Sequence, residues 1–277
     1  MRGIVYLNGS LVHLHDATIS VFDAGFQFGA GLFETLLCID GTPRVLGRHL
    51  ARLRGSAEKL GIPIVESDDE LRTGITSVLK KNSLDHGQVR VKILATPGDI
   101  TAYQPVRRPT LFITAEPYLR PALSMPWRLG LDGRVQGGPL TVHKSSSYLA
   151  ARMALHSARL HGFDDMVLLD RNGNVAETSI AALLLFYRGR WIVPETPDAL
   201  PSISRDILIE ILRGKGANVA TGVVTPERLL KSAILLSNSL LGPFPVHSIN
   251  RVEVKALPEE LLVDLRTQWL AYEPQPS

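Results

Sequence analysis

The spacing of apolar positions predicts short strands interleaved with amphipathic helices. Two strand-like stretches, 3–7 and 11–14, flank Asn8-Gly9, a dipeptide that favours a tight hairpin turn. Apolar side chains at 50, 53, 57 and 60 follow the period of a helix, which we expect to span 47–60 and to end at Gly61. A second helix is predicted over 67–81, because acidic residues at 68–70 suit the positive end of a helix dipole.

The rest of the first half completes an α+β domain, predicted over 1–116 with a mostly antiparallel sheet. Its remaining strands are predicted at 32–39, 42–46, 89–95 and 110–115. Prolines at 117, 121 and 126 indicate an interdomain linker over 117–126.

The second half, 127–277, is predicted to be a separate domain of strands and helices. Strands are expected at 127–131, 165–169, 181–187, 191–193, 218–221 and 233–236. Helices are expected over 148–161, from 203 to about 213, and after Thr225-Pro226-Glu227.

Composition excludes several classes of protein. The 277 residues, 45% hydrophobic and 21% charged, describe an ordinary globular chain long enough for two domains. A scattered net charge of +3 gives no reason to expect nucleic acid as a partner. The single cysteine, Cys38, excludes an internal disulfide and suits a reducing cytoplasm. The turn at Asn8-Gly9 comes too early for a signal peptide, and the longest apolar run, 180–187, is too short to span a membrane. We therefore expect a cytoplasmic protein with no membrane partner.

Common catalytic and binding motifs are missing. The histidines lack the helical spacing of a metal site, and His13-x-His15 alone is typical of a strand surface. Gly25, Gly29 and Gly31 do not have the spacing of the dinucleotide fingerprint, and the chain has neither a Walker motif nor a Gly-x-Ser-x-Gly elbow. No metal is therefore predicted.

Lys144 is the first candidate for chemistry. It lies between Gly137-Gly138-Pro139 and the serines at 145–147, with few residues nearby in sequence that could neutralise it. In a central strand its ammonium would be partly desolvated, which lowers the pKa and makes the amine nucleophilic, as a Schiff-base lysine requires. The alternative is a surface lysine at the end of a strand.

Other candidates lie at the ends of predicted elements. Arg52 could leave its helix to bind an anion, and Ser202 and Ser204 lie where free N–H groups favour a phosphate. A surface arginine and ordinary cap serines would explain the same residues. Ser239 ends a strand at a glycine-proline corner. Glu177 precedes an apolar strand, so it either points into the core, where it needs a partner, or faces solvent.

Together these segments resemble the fold-type IV, pyridoxal-phosphate-dependent aminotransferases, a family that includes 4-amino-4-deoxychorismate lyase. The resemblance runs from the Asn8-Gly9 hairpin to about position 248. It rests on Phe26-Gln27-Phe28-Gly29-Ala30-Gly31-Leu32-Phe33-Glu34-Thr35, His49-Leu50-Ala51-Arg52-Leu53, His143-Lys144-Ser145, Asn172-Gly173-Asn174-Val175-Ala176-Glu177-Thr178-Ser179 and Leu200-Pro201-Ser202-Ile203-Ser204-Arg205-Asp206.

The resemblance implies a cofactor, pyridoxal 5′-phosphate, and a role for each matched residue. Lys144 would hold the cofactor as a Schiff base and move the substrate proton, and Glu177 would keep the ring nitrogen protonated. The phosphate would be bound by Arg52, by backbone N–H groups of Ile203 and Ser204, and by the Ser239 hydroxyl. The implied fold has a small N-terminal α/β sandwich and a larger C-terminal domain with a β-barrel-like core. It also implies a homodimer whose sites lie between the domains and are capped by a partner loop.

The reaction is a choice within this family. The segment from Ser237-Asn238-Ser239 to Val246 is most similar to aminodeoxychorismate lyase, which predicts conversion of 4-amino-4-deoxychorismate to 4-aminobenzoate and pyruvate. The alternative is a transaminase of D-amino or branched-chain amino acids with a 2-oxo acid acceptor. A binding module without activity would be expected to lack Lys144 or Glu177, and both are present.

The candidates for substrate binding are chosen where this sequence differs from the substrate-binding patterns of the family. Phe28 replaces an expected tyrosine, and both the Arg-x-His pattern of D-amino-acid enzymes and the Tyr-x-Arg pattern of branched-chain enzymes are missing. The remaining candidates for binding a substrate carboxylate are Arg90, Lys92, Arg107 and Arg108.

Overall fold

The computed structural model describes residues 3–99 and 108–273. These residues form two compact units, which are described separately. One unit comprises Met1–Leu119 with His143–Tyr148, and the other comprises Arg120–Val142 and Leu149–Ser277, each as far as its residues are described. The domain boundaries proposed above remain a prediction. The segment carrying Lys144 groups with the first unit, not with the residues that flank it in sequence.

The first unit is built on an antiparallel sheet. Its strands follow the order β2-β1-β6-β5-β3-β4, and every pairing in it is antiparallel, as the pattern predicted. The elements are β1 (Ile4–Leu7), β2 (Ser10–His13), α1 (Ala24–Phe28), β3 (Leu32–Ile39), β4 (Thr42–Pro43), α2 (Leu46–Leu60), α3 (Asp68–Lys81), β5 (Gln88–Thr96) and β6 (Thr110–Pro117).

Helices α2 and α3 each combine apolar positions at helical spacing with a residue that starts or ends the helix. Gly61 ends α2 in the left-handed conformation, with φ of 64°. A capping box of Ser67 and Glu70 starts α3. The apolar sides of both helices form one core with Leu36 and neighbouring side chains of the sheet. Side chains alternate along a strand, so Glu34 of β3 points to the same helix-covered face as Leu36.

The second unit contains a mixed sheet with helices. The sheet order is β12-β11-β10-β13-β14-β7-β8-β9, with β15 paired to β14. Strand β9 also contacts β10 and β11, so the sheet curls. The elements are β7 (Trp127–Gly130), α4 (Leu149–Leu160), β8 (Asp165–Leu169), β9 (Val175–Thr178), β10 (Ala182–Tyr187), β11 (Arg190–Pro194), α5 (Ile203–Gly214), β12 (Val219–Gly222), α6 (Pro226–Leu230), β13 (Ala233–Asn238), β14 (Gly242–Ile249), β15 (Val252–Glu253) and α7 (Glu259–Ala271).

Several elements differ from the pattern-based prediction. Helices α1 and α7 and strands β14 and β15 were not predicted, and the strand predicted over 42–46 is only the two-residue β4. The prolines at 243 and 245 concealed β14, because proline is rare inside sheets. They are tolerated because β7 pairs with β14 only from Val246 onward. Within the described ranges, none of the helices is both long and apolar enough to cross a bilayer.

Candidate functional site

The segment around Lys144 is not the strand considered from the sequence. It is irregular backbone that lies against the start of β3. The amide of Phe33 donates to the carbonyl of Lys144 at 2.8 Å, and the amide of Ser146 donates to the carbonyl of Gly31 at 2.8 Å. An isolated bridge joins Leu32 to Ser145. These contacts fix the backbone of Lys144 without a regular sheet register.

Two glycines make this close approach possible. A Cβ atom added at Gly29 would lie 2.8 Å from the Ser147 hydroxyl oxygen, and one at Gly31 would lie 2.8 Å from that of Ser146. Gly29 also has a φ of 67°, which ends α1 in the left-handed conformation. The glycine spacing noted in the sequence therefore serves the packing of the Lys144 segment.

The side chains of Lys144 and of a second lysine contact the same aromatic ring. Nζ of Lys144 lies 4.5 Å from the centroid of the Phe33 ring, and Nζ of Lys92 lies 4.9 Å from the same centroid. The Tyr148 ring meets Phe33 edge-on, with 5.3 Å between centroids. Both lysines are half-buried, and burial lowers the pKa of Lys92. The desolvation expected for Lys144 is thus partial, and cation–π contacts accompany it.

A buried carboxylate that the sequence did not single out, Glu34, directly follows Phe33 on β3. Glu34 is completely buried, and Arg52 binds it through Nε to Oε1 and Nη2 to Oε2, each at 2.7 Å. Nδ1 of His49 contacts Oε2 at 2.7 Å. Burial raises the pKa of Glu34, but hydrogen bonds from His49 and Arg52 outweigh it and bring the value down to about 2. Glu34 is therefore an ionised partner that orients Arg52.

Burial fixes the charge state of His49, and its contact with Glu34 fixes the tautomer. Burial lowers its pKa, more than the contact with Glu34 raises it, and the charge of Lys144 also acts to lower it. The ring is therefore neutral near pH 7. Since the ionised carboxylate can only accept, Nδ1 of His49 carries the proton. A further contact, between Nδ1 of His143 and the Ser56 hydroxyl at 2.9 Å, ties the Lys144 segment to α2.

In the second unit, Glu177 is half-buried on β9 and is held by neutral donors. Its Oε1 accepts from Nε2 of Gln136 at 2.9 Å and from the amide of Leu200 at 3.3 Å. The carboxylate thus has the hydrogen-bond partners that its position implied.

The start of α5 is a capped helix terminus. The Ser202 hydroxyl accepts from the amide of Arg205 at 3.3 Å. Ile203 and Ser204 are buried, and the Ser204 hydroxyl contacts that of Ser237 at 2.5 Å. Ser239 is half-buried and lies in the turn that follows β13. Each predicted phosphate ligand of this unit is therefore at the end of an element, where backbone N–H groups are available.

The substrate-binding candidates lie in different surroundings. Phe28 is exposed at the end of α1, and Arg90 is exposed and ion-paired with Glu116. Arg108 is exposed, with a positive φ, and Arg107 lies outside the described residues. Lys92 alone among the described candidates lies beside the ring that Lys144 contacts.

The comparisons with known proteins agree with the resemblance found in the sequence. The model of the family described as "Amino-transferase class IV" matches residues 31–249. The chain belongs to the class IV aminotransferases. The predictions of an enzyme and of pyridoxal 5′-phosphate as its cofactor are confirmed with the family.

Named relatives cover two reactions. The chain is 30% identical to "Putative branched-chain-amino-acid aminotransferase" of Methanocaldococcus jannaschii, over 96% of this chain and 97% of that protein. It is 28% identical to "Aminodeoxychorismate lyase" of Bacillus subtilis, over 90% of this chain and 87% of that protein. The structure of the branched-chain aminotransferase of Thermoproteus uzoniensis superposes with a TM-score of 0.89 at 21% identity, over 98% of this chain and 96% of that one. The fold-type IV prediction is confirmed.

Proposed function

We propose that the protein is a pyridoxal-phosphate-dependent lyase that converts 4-amino-4-deoxychorismate to 4-aminobenzoate and pyruvate. The observation that carries the choice of reaction is the turn after β13. Oδ1 of Asn238 accepts the amides of Leu240 at 2.9 Å and Leu241 at 2.8 Å, and its Nδ2 donates to the carbonyl of Ile180 at 3.1 Å. The side chain thus occupies two backbone donors of the turn.

An amino-acid transaminase needs donors for a carboxylate on the carbon that bears the amino group. Backbone N–H groups of a turn are well suited to bind such an anion. Transaminases of the family that the chain resembles tend to carry Gly-Thr or Ser-Thr-Thr at this turn, with no asparagine side chain to occupy the amides. In 4-amino-4-deoxychorismate the amino-bearing carbon carries no carboxylate, so this substrate does not require those donors.

The donor set of the chain fits the cofactor. The primary amine of Lys144 matches the aldehyde, and the carboxylate of Glu177 matches the basic ring nitrogen. The guanidinium of Arg52 and the capped start of α5, with its small hydroxyl residues, match the phosphate. When bound, pyridoxal 5′-phosphate supplies an electron sink for the carbanion at the amino-bearing carbon.

The residues of the chain then carry the proton and the charges. The amine of Lys144 accepts the proton of the amino-bearing carbon. The neighbouring C–O bond breaks, a ring C=C bond forms, and the enolpyruvyl group leaves with the bonding electrons. Lys144 gives up the proton it accepted, the methylene carbon of that group gains one, and pyruvate is complete, so the reaction needs no oxidant. Glu177 stabilises positive charge on the ring nitrogen throughout.

Lys92 is the residue that we propose to bind a carboxylate of the substrate. The substrate carries carboxylates away from its amino-bearing carbon, and Lys92 is a half-buried cation on the ring that Lys144 contacts. Arg90 is less suited because Glu116 already pairs with it.

The test is to offer the purified holoenzyme 4-amino-4-deoxychorismate, and separately D-alanine or L-leucine with 2-oxoglutarate. We expect 4-aminobenzoate and pyruvate in equal amounts. Amino-group exchange without 4-aminobenzoate would overturn the proposal.

In the variant Asn238→Gly, which releases the two amides, we expect slower lyase turnover and faster exchange with amino acids. Asn250→Gly is the matched control, since Asn250 also bonds backbone atoms, those of Leu131.

The second candidate is a branched-chain amino-acid transaminase. The relative from Methanocaldococcus jannaschii, with its nearly full coverage, supports it. The same assay decides between the two reactions.

The assembly that we propose is a homodimer. Ile19, Val21, Phe22, Phe26 and Phe28 are each at least half exposed, within ten positions of the first unit. So dense a group of exposed apolar side chains is typical of an interaction surface. Light scattering should give twice the mass of the chain, and Phe26→Glu should shift it toward the monomer. A monomeric wild-type protein would overturn this assembly.

A further inference from the structure

Gln136 occupies a position in the second unit that none of the motifs accounts for. Its Nε2 donates to Oε1 of Glu177 at 2.9 Å and to the carbonyl of Asp198 at 2.6 Å. Both neighbours can only accept, which fixes the amide nitrogen as the atom that faces them. The side chain therefore clamps Glu177 to the loop that leads into α5.

The backbone at Gln136 is fixed independently of this side chain. Its amide donates to the carbonyl of Leu169 at 2.8 Å, and a parallel bridge joins Val135 to Leu169. Glu177 lies on the opposite side of β8, where its backbone pairs with Leu168. The side chain of Gln136 thus reaches across β8 from an anchored main chain. A substitution at this position should leave the fold intact.

The second acceptor, Asp198, is also well fixed. It is almost fully buried, and its carboxylate accepts from Nε of Arg171 at 3.1 Å and from Nη2 at 3.2 Å. The amide of Leu200, two residues further along the loop, donates to the same Oε1 of Glu177. Two donors on one oxygen restrict the rotation of the carboxylate.

The chemical type of the donor matters as much as its position. A lysine or arginine at 136 would hold the carboxylate but neutralise it, and a glutamate would repel it. An amide donates without a charge, so the hydrogen bond from Gln136 does not itself neutralise Glu177.

We propose that Gln136 is a positioning residue that orients the Glu177 carboxylate toward the ring nitrogen of the cofactor while preserving its charge. This inference rests on the proposed role of Glu177. It predicts that Gln136 matters only for ligands whose ring can accept a proton at that position.

The test compares two ligands that cannot condense with Lys144. Pyridoxamine 5′-phosphate and its 1-deaza analogue, in which carbon replaces the ring nitrogen, are titrated into the full chain freed of cofactor. In Gln136→Met we expect the affinity for pyridoxamine 5′-phosphate to fall about tenfold. The affinity for the 1-deaza analogue should change less than about twofold. Equal losses for both ligands, or no loss for either, would overturn the inference.

Three further variants separate the ways in which the test can fail. Gln268→Met is the matched control, because Gln268 also donates through Nε2 to a carboxylate, that of Asp264 at 2.7 Å. We expect it to bind both ligands like the wild type.

Glu177→Gln should show the same ligand selectivity as Gln136→Met. If Glu177→Gln is selective and Gln136→Met is not, the inference about Gln136 is wrong and the proposed function stands. If Glu177→Gln is not selective, the assigned role of Glu177 is wrong. Should Gln136→Met fail to fold, Gln136→Asn, which keeps the amide but shortens its reach, carries the same expectation.

Discussion

The carboxylates of Glu34 and Glu177 are held in opposite ways. Glu34 is completely buried and pairs with a guanidinium and an imidazole. Glu177 is half-buried and receives an amide side chain and a backbone amide. A buried charge without a counter-ion is strongly unfavourable, so Glu34 needs Arg52 to stay ionised. The donors from Gln136 and Leu200 to Glu177 are neutral, so these two hydrogen bonds do not cancel its charge. The first carboxylate is thus built for structure and the second for chemistry.

The largest effect on stability should come from Glu34→Gln. The change leaves the guanidinium of Arg52 without its anionic partner, which costs about 3–5 kcal/mol of unfolding free energy. Urea unfolding of the cofactor-free protein measures it. Glu177→Gln is the matched control and should cost less than about 1 kcal/mol. Similar losses for the two variants would contradict the division between a structural and a chemical carboxylate.

Acid should remove most of the contribution of Glu34. Its pKa lies at about 2 in the folded protein, against the ordinary value of 4.5 expected in the unfolded chain. This difference contributes about 3 kcal/mol to the free energy of unfolding. A lowered folded pKa gives stability that is present above the unfolded value and is lost as the pH falls toward the folded one. The gap in unfolding free energy between wild type and Glu34→Gln should therefore be full at pH 6 and shrink between about pH 4.5 and pH 2. A gap independent of pH would contradict the ionised state of Glu34.

Glu177→Gln should instead affect catalysis. A neutral amide cannot stabilise a cationic ring nitrogen, so we expect kcat for the proposed reaction to fall about a hundredfold, with the unfolding free energy nearly unchanged. Steady-state kinetics and the unfolding curve of the same preparation measure both. A loss of stability with unchanged kcat would reverse the roles of the two carboxylates.

The smallest effect is expected for an exposed ion pair. Arg90 and Glu116 are both about half exposed, so Arg90→Ala should change the unfolding free energy by less than about 0.5 kcal/mol. Urea unfolding at low and high salt measures this change. A cost comparable to that of Glu34→Gln would show that burial does not set the difference between these pairs.

The sequence was sufficient where the determining interactions are local. Asn8-Gly9 predicted the first hairpin, and the apolar period with Gly61 predicted α2, because turn geometry and helix spacing depend on residues close in the chain. The motifs around Lys144 and Glu177 were sufficient to predict the family and the cofactor, both of which are confirmed.

The tertiary structure decided what depends on residues far apart in sequence. Glu34 looked like one polar residue in an apolar strand until the fold brought it to Arg52, 18 positions away. Gln136 carried no signal at all, because its partner Glu177 is 41 positions away across β8. The backbone of Lys144 is held by β3 of the first unit, which its own neighbours could not indicate. Residue types and local spacing determined which chemistry the chain can perform, whereas long-range packing decided which carboxylate binds a guanidinium and which accepts from amide groups.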